Sequence, residues 1–152
     1  MQKIASFTVN HDYIVPGIYI SRIDGDITTF DLRTRKPNCN DYMDNLTMHS
    51  VEHMVATLIR NSEIKDNVIY FGPMGCQTGF YLLTRSVPKT TVLKVLIEIL
   101  EQIVEKEEKM YGDSRIECGK YKNLNLQAAK EECKKFLKVL KESENTFKYS
   151  EG

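Results

Sequence analysis

The sequence predicts an α+β fold: a largely antiparallel sheet with helices packed on one face, forming a single-domain two-layer sandwich over residues 1–152. Three observations lead there. Short apolar or alternating stretches bounded by Gly, Pro, Asn and Asp fill most of the first half of the chain, as strands and turns do. Apolar residues at spacings of three and four mark helices. Strand and helix patterns do not alternate regularly, which disfavours a doubly wound parallel sheet.

Each element follows in order. KIASFTVN alternates weakly and is expected as a strand ending at His11 and Asp12. YIVPGIYI is broken by Pro16 and Gly17, which suits an edge segment. Asp24-Gly25 is a turn signal ahead of a strand over Ile27 to Thr34. After the polar loop KPNCNDYMDN, a first helix should span Leu46 to Arg60, with Asp44 or Asn45 as its N-cap. VIYF, stopped by Pro73, and GFYLLTR read as strands linked through MGCQT. A long helix from near Thr90 carries Val92, Val95, Leu96, Ile99, Leu100 and Ile103 on one face. GDSRIECGKYKN reads as loop with one short strand, and LNLQAAKEECKKFLKVLKE as a final amphipathic helix. Residues 146–152 are expected to form a flexible tail.

Composition narrows the function classes. Lysines and arginines (21) balance aspartates and glutamates (21), so no nucleic-acid partner is expected from general electrostatics. No apolar run approaches the roughly 20 residues that span a bilayer. MQKIASFTVN also lacks the apolar stretch of a signal peptide, so no membrane partner and a cytoplasmic location are expected. The four cysteines, Cys39, Cys76, Cys118 and Cys133, form no CxxC pair and read as thiols. Cys133 suits a helix core, whereas Cys76 and Cys118 each stand beside a glycine.

The stretch HSVEH at 49 to 53 carries the chemistry. Residues four apart on a helix lie one above the other, so His49 and His53 present two imidazoles to one ion. Glu52 shares that face as a candidate base. A catalytic centre wants a third protein ligand and an open position. His11, Cys76, Cys118 and a carboxylate such as Glu117, Glu131 or Glu132 are all candidates. HxxEH is also the inverted signature of a zinc peptidase, which takes a carboxylate there. A metal-stabilised binding protein with a closed site is a further alternative.

Several segments, in order, resemble one family: S-ribosylhomocysteine lyase, the autoinducer-synthesising LuxS family. They are ASFTVNH, FDLRTRKPN, HSVEH, PMGCQTGFY and ECGKY, spanning residues 5 to 121. The resemblance implies that His49, His53 and Cys118 hold one Fe2+ per subunit, with Zn2+ or Co2+ able to substitute. It implies Cys76 and Glu52 as the catalytic proton-transfer groups, and Ser6, His11 and Arg33 as substrate-binding positions. It further implies a homodimer with shared active sites, the N-terminal segment of one subunit completing the pocket of the other. The implied reaction splits the thioether of S-ribosylhomocysteine into homocysteine and 4,5-dihydroxy-2,3-pentanedione, by successive carbonyl migration and β-elimination. Arg33 could instead pair with Asp31 or Asp26 as a surface salt bridge, and His11 could cap a strand end. The chain departs from the family's usual DISPMGC at Tyr70 and Gly72, and Arg35 stands where a cysteine is frequent.

Overall fold

The structure is a computed structural model that describes residues 1–150. Four strands form one antiparallel sheet in the order β1-β2-β4-β3: β1 Gly17–Asp24, β2 Ile27–Arg33, β3 Val68–Pro73 and β4 Gly79–Arg85. Three helices, α1 Asn45–Ile59, α2 Lys89–Glu105 and α3 Leu126–Glu142, complete the layer pair. The mixed fold with helices on an antiparallel sheet is the one the sequence predicts.

Side-chain alternation assigns the two faces of the sheet. Ile18, Phe30, Leu32, Phe80 and Leu82 are buried in the core shared with the helices. The six apolar residues predicted on one face of α2 are all buried there too. The residues next to the buried ones along each strand, Tyr19, Asp31 and Tyr81, point to the outer face, and Tyr19↔Asp31↔Tyr81↔Gly72 run as one row across all four strands. Asp31 and Arg33 are nevertheless 2% and 3% exposed, because both chain ends fold over them.

Those ends differ from the sequence reading. KIASFTVN is not a strand: Ala5–Phe7 and His11–Tyr13 are single 3-10 turns. Their polar groups bond locally, Thr8 Oγ1 donating to the Ala5 carbonyl at 2.7 Å and Asn10 Oδ1 accepting from the Asp12 amide at 3.0 Å. The expected tail at 146–152 is anchored where it is described: Phe147 is buried and bridges to Tyr19, while residues 151–152 lie outside the described residues. The loop before α3 contains turns and no strand.

Both helices that frame the site are capped by side chains. Asp44 accepts from the Thr47 amide at 2.8 Å to start α1, and Asn125 accepts from Ala128 at 2.9 Å to start α3. Ser50, buried in α1, accepts from the Asn125 amide at 2.8 Å and so fixes one helix start against the other.

Candidate metal and thiol site

α1 buries Met48, Val51, Met54, Val55 and Leu58 against the core, which leaves His49, Glu52 and His53 half-buried on its flank. Among the described residues, one group of three could hold a metal ion: His49, His53 and Cys118, with ligand atoms all within 4.8 Å of one another. Cys118 Sγ lies 3.4 Å from His49 Nε2. The imidazoles meet edge to face, with centroids 4.6 Å apart.

The rings are oriented by backbone. His49 Nδ1 stands 2.9 Å from the Asn123 carbonyl, and His53 Nδ1 stands 2.9 Å from the Tyr111 carbonyl. A carbonyl can only accept, so each Nδ1 carries the proton and each Nε2 keeps its lone pair for a metal. Gly112 is needed beside His53: its φ is +66°, and a Cβ there would come within 3.0 Å of His53 Nδ1. Tyr111 is pinned in turn by donating to Glu107 at 2.6 Å, a bond that pushes its phenol up to about 12. Cys118 Sγ accepts from the Lys120 amide at 3.4 Å. Two imidazoles and a thiolate suit zinc, cobalt or ferrous iron.

Sequence physics left the third ligand open, and the geometry narrows it. Cys118 joins the imidazoles. Glu132 is buried in α3 and held by Arg35 at 2.6 Å, which removes it as a ligand. Glu117 is exposed, accepts from Ser114, and lines an open cleft with Glu52, His53, Tyr111 and Gly112.

Cys76 occupies the exposed β3–β4 link. Its Sγ is 3.0 Å from Thr78 Oγ1 and 3.8 Å from Arg33 Nη1. Arg33 does pair with Asp31, at 2.7 Å, but as a buried ion pair; Asp26 pairs with Arg85 instead. Nη1 of Arg33 also donates to Thr78 at 2.8 Å, so the guanidinium is committed on both sides. Desolvation works against its charge, and the Asp31 hydrogen bond and charge outweigh it, leaving Arg33 raised. Ser6, His11 and Arg33 line one small pocket with Ser21, Asp31, Tyr81 and Tyr149. His11 Nδ1 stands 2.9 Å from the Val9 carbonyl. Thr78 and the carbonyls of Asn123 and Tyr111 were missed in the sequence. Thr78 lies inside a quoted motif, whereas a backbone acceptor has no side-chain signature. Cys133, with its thiol pushed up to about 12 by burial, is core as expected.

Residues 4–147 match the family model described as S-Ribosylhomocysteinase (LuxS). The chain belongs to this family. Among similar proteins, the S-ribosylhomocysteine lyase of Clostridium beijerinckii is 44% identical over 143 residues, 90% of each chain. That of Borrelia garinii is 42% identical over 156 residues, covering 98% of this chain and 99% of its own. That of Clostridium acetobutylicum is 40% identical over 158 residues, covering 99% and 100%. This LuxS-family chain thus joins an enzyme family to a donor set able to hold a metal. No helix among its described residues is long and apolar enough to cross a membrane.

Proposed function

We propose that this chain cleaves the carbon–sulfur bond of S-ribosylhomocysteine, releasing homocysteine and 4,5-dihydroxy-2,3-pentanedione. The observation that carries the reading is the His49–His53–Cys118 donor set within a chain matched to the LuxS family from 4 to 147. The proposed cofactor is one Fe2+ per subunit, held by those three residues, with Zn2+ or Co2+ able to replace it. When bound, it supplies Lewis acidity to neighbouring sugar oxygens.

The remaining work falls to the protein. The sugar aldehyde sits at the first carbon, and sulfur leaves the fifth. β-Elimination needs the carbonyl at the third, so the carbonyl first moves along the sugar. Each move takes a proton from one carbon and returns it to the next. Cys76 is the proposed carrier, with the Arg33 guanidinium 3.8 Å from its sulfur. Glu52, on the same helical flank as His49 and His53, is the proposed group for the oxygen protons and the elimination step. Ser6 and His11 are the proposed hydrogen-bonding partners of the substrate. Arg33 is proposed to act on the substrate side through its charge. The proposed assembly is a cytoplasmic homodimer in which the N-terminal segment of one subunit completes the other's site. In support, Ile4 and Phe7 of that segment are 59% and 68% exposed in the single chain.

The test is anaerobic purification, metal analysis and thiol release from S-ribosylhomocysteine. Cys76→Ala should abolish release and keep a stoichiometric metal, while Cys118→Ala should lose the metal. Equal metal loss in both variants would refute the assignment, and a wild-type protein that releases no thiol would refute the reaction.

A further inference from the structure

The last described residues turn back onto the outer face of the sheet. Phe147 is 6% exposed, and its carbonyl accepts from the Ile20 amide at 2.9 Å. Tyr149, just beyond the stretch matched by the family model, is thereby held over β1 and β2. Its ring stacks on Tyr19 with centroids 4.8 Å apart and planes 17° from parallel. Its hydroxyl donates to Asp31 Oδ2 at 2.8 Å. The same oxygen accepts from Arg33 Nη2 at 2.7 Å, and Oδ1 accepts from Arg33 Nε at 3.1 Å. The other arm of the guanidinium, Nη1, reaches Thr78 and Cys76. An unbroken line of contacts therefore runs from Tyr149 through Asp31 and Arg33 to the Cys76 thiol.

We propose that Tyr149 is a positioning residue for Cys76, its hydroxyl fixing the Asp31 carboxylate and with it the aim of the Arg33 guanidinium at the thiol. A carboxylate gripped from one side by a single guanidinium can swing with it. A third donor from a different segment of the chain fixes both partners. Hydrogen bonding to Asp31 also disperses its negative charge, which leaves more of the Arg33 field to act at the Cys76 sulfur. Burial and the Asp31 charge push the Tyr149 phenol up, so the hydroxyl keeps its proton through the neutral range. Only the expected effect on turnover rests on the lyase reading; the effect on thiol reactivity stands apart from it.

The experiment compares wild type with Tyr149→Phe, which keeps the stack on Tyr19 and removes the hydroxyl together with its bonds to Asp31 and Ser21. Iodoacetamide alkylation at neutral pH is followed peptide by peptide, with exposed Cys39 as the internal reference. Loss of one hydrogen bond to a charged group should slow Cys76 alkylation by roughly three- to tenfold. Cys39 should react as in wild type, with the melting temperature lower by only a few degrees. The kcat of thiol release should fall by a similar factor, with KM within about twofold. Cys76 alkylated at the wild-type rate would overturn the proposal. So would Cys39 and Cys76 changing together with a larger fall in melting temperature, which marks a loosened fold. Should wild type release no thiol, the lyase reading fails, and the alkylation comparison still decides the role of Tyr149.

Discussion

Gln77 and Met43 are joined twice: the Met43 amide donates to the Gln77 carbonyl at 3.0 Å, and Gln77 Nε2 donates to the Met43 carbonyl at 2.8 Å. Met43 immediately precedes the N-cap of α1, and Gln77 immediately follows Cys76. The pair therefore sets the thiol loop in register with the helix that carries both histidines.

Gln77 makes these bonds with a φ of +65°, a left-handed conformation that costs a residue with a Cβ about 1 kcal/mol. Gln77→Ala keeps that cost and strands the Met43 carbonyl, so it should destabilise by about 1.5 kcal/mol. Gln77→Gly loses the same bond but relieves the backbone, so it should lose only about 0.5 kcal/mol. Urea unfolding midpoints order the two. A glycine variant less stable than the alanine variant would show that the backbone here is unstrained.

Arg35 and Glu132 tie the end of β2 to the middle of α3, and Glu132 is only 3% exposed. Arg35→Cys leaves a buried carboxylate without its partner. A loss of about 3 kcal/mol is expected, as for other broken buried pairs. Arg35→Met with Glu132→Leu removes both charges and should recover most of it. A single variant as stable as wild type would mean that water reaches Glu132.

The parts of this molecule that were legible in the sequence are those with a period or a fixed spacing. HSVEH places two imidazoles on one helical flank by geometry alone. The α2 stripe reads directly as core. The third ligand was not legible from physics, because a histidine, either of two cysteines or a carboxylate could have served; the family resemblance selected Cys118, and the structure sets it 3.4 Å from His49. The chain ends were misread because polar composition conceals anchoring. KYSEG looks like solvent-exposed chain, yet Tyr149 finds both a ring to stack on and a buried carboxylate. KIASFTVN alternates like a strand, but the Phe7 and Thr8 amides and the Thr8 hydroxyl bond to the Ile4 and Ala5 carbonyls of the same segment.

Tyr70 folds over Gly72, so that a Cβ at position 72 would collide with the Tyr70 hydroxyl. The two departures from DISPMGC are therefore one coupled change. Tyr70 is 50% exposed and its ring can swing away, so Gly72→Ser alone should cost only about 1 kcal/mol. In Tyr70→Ala with Gly72→Ser the obstacle is gone. The double variant should be more stable than the sum of the singles by about 0.5 to 1 kcal/mol. Strict additivity in a thermal or urea double-mutant cycle would show that the ring does not rest there.

Asp44 carries the start of α1 on an exposed carboxylate, and its pKa is lowered, first by its side-chain hydrogen bond with Thr47 and then by the Thr47 amide. A carboxylate with a lower pKa folded than unfolded binds its proton more readily in the unfolded chain. Its contribution is therefore complete above the ordinary aspartate range and is lost as pH falls through the lower, folded value. Asp44→Ala should cost about 1 kcal/mol at pH 7, where the cap is charged. Asp44→Asn keeps an acceptor but has no proton to gain, so it isolates the titration. The stability advantage of wild type over Asp44→Asn should be largest at neutral pH and shrink through the acid range, read from urea midpoints at several pH values. The charge at the α1 start also favours the helix dipole, which works in the same direction. An advantage that held constant into acid, or grew there, would mean that the Thr47 bonds do not distinguish the charged cap from the neutral one.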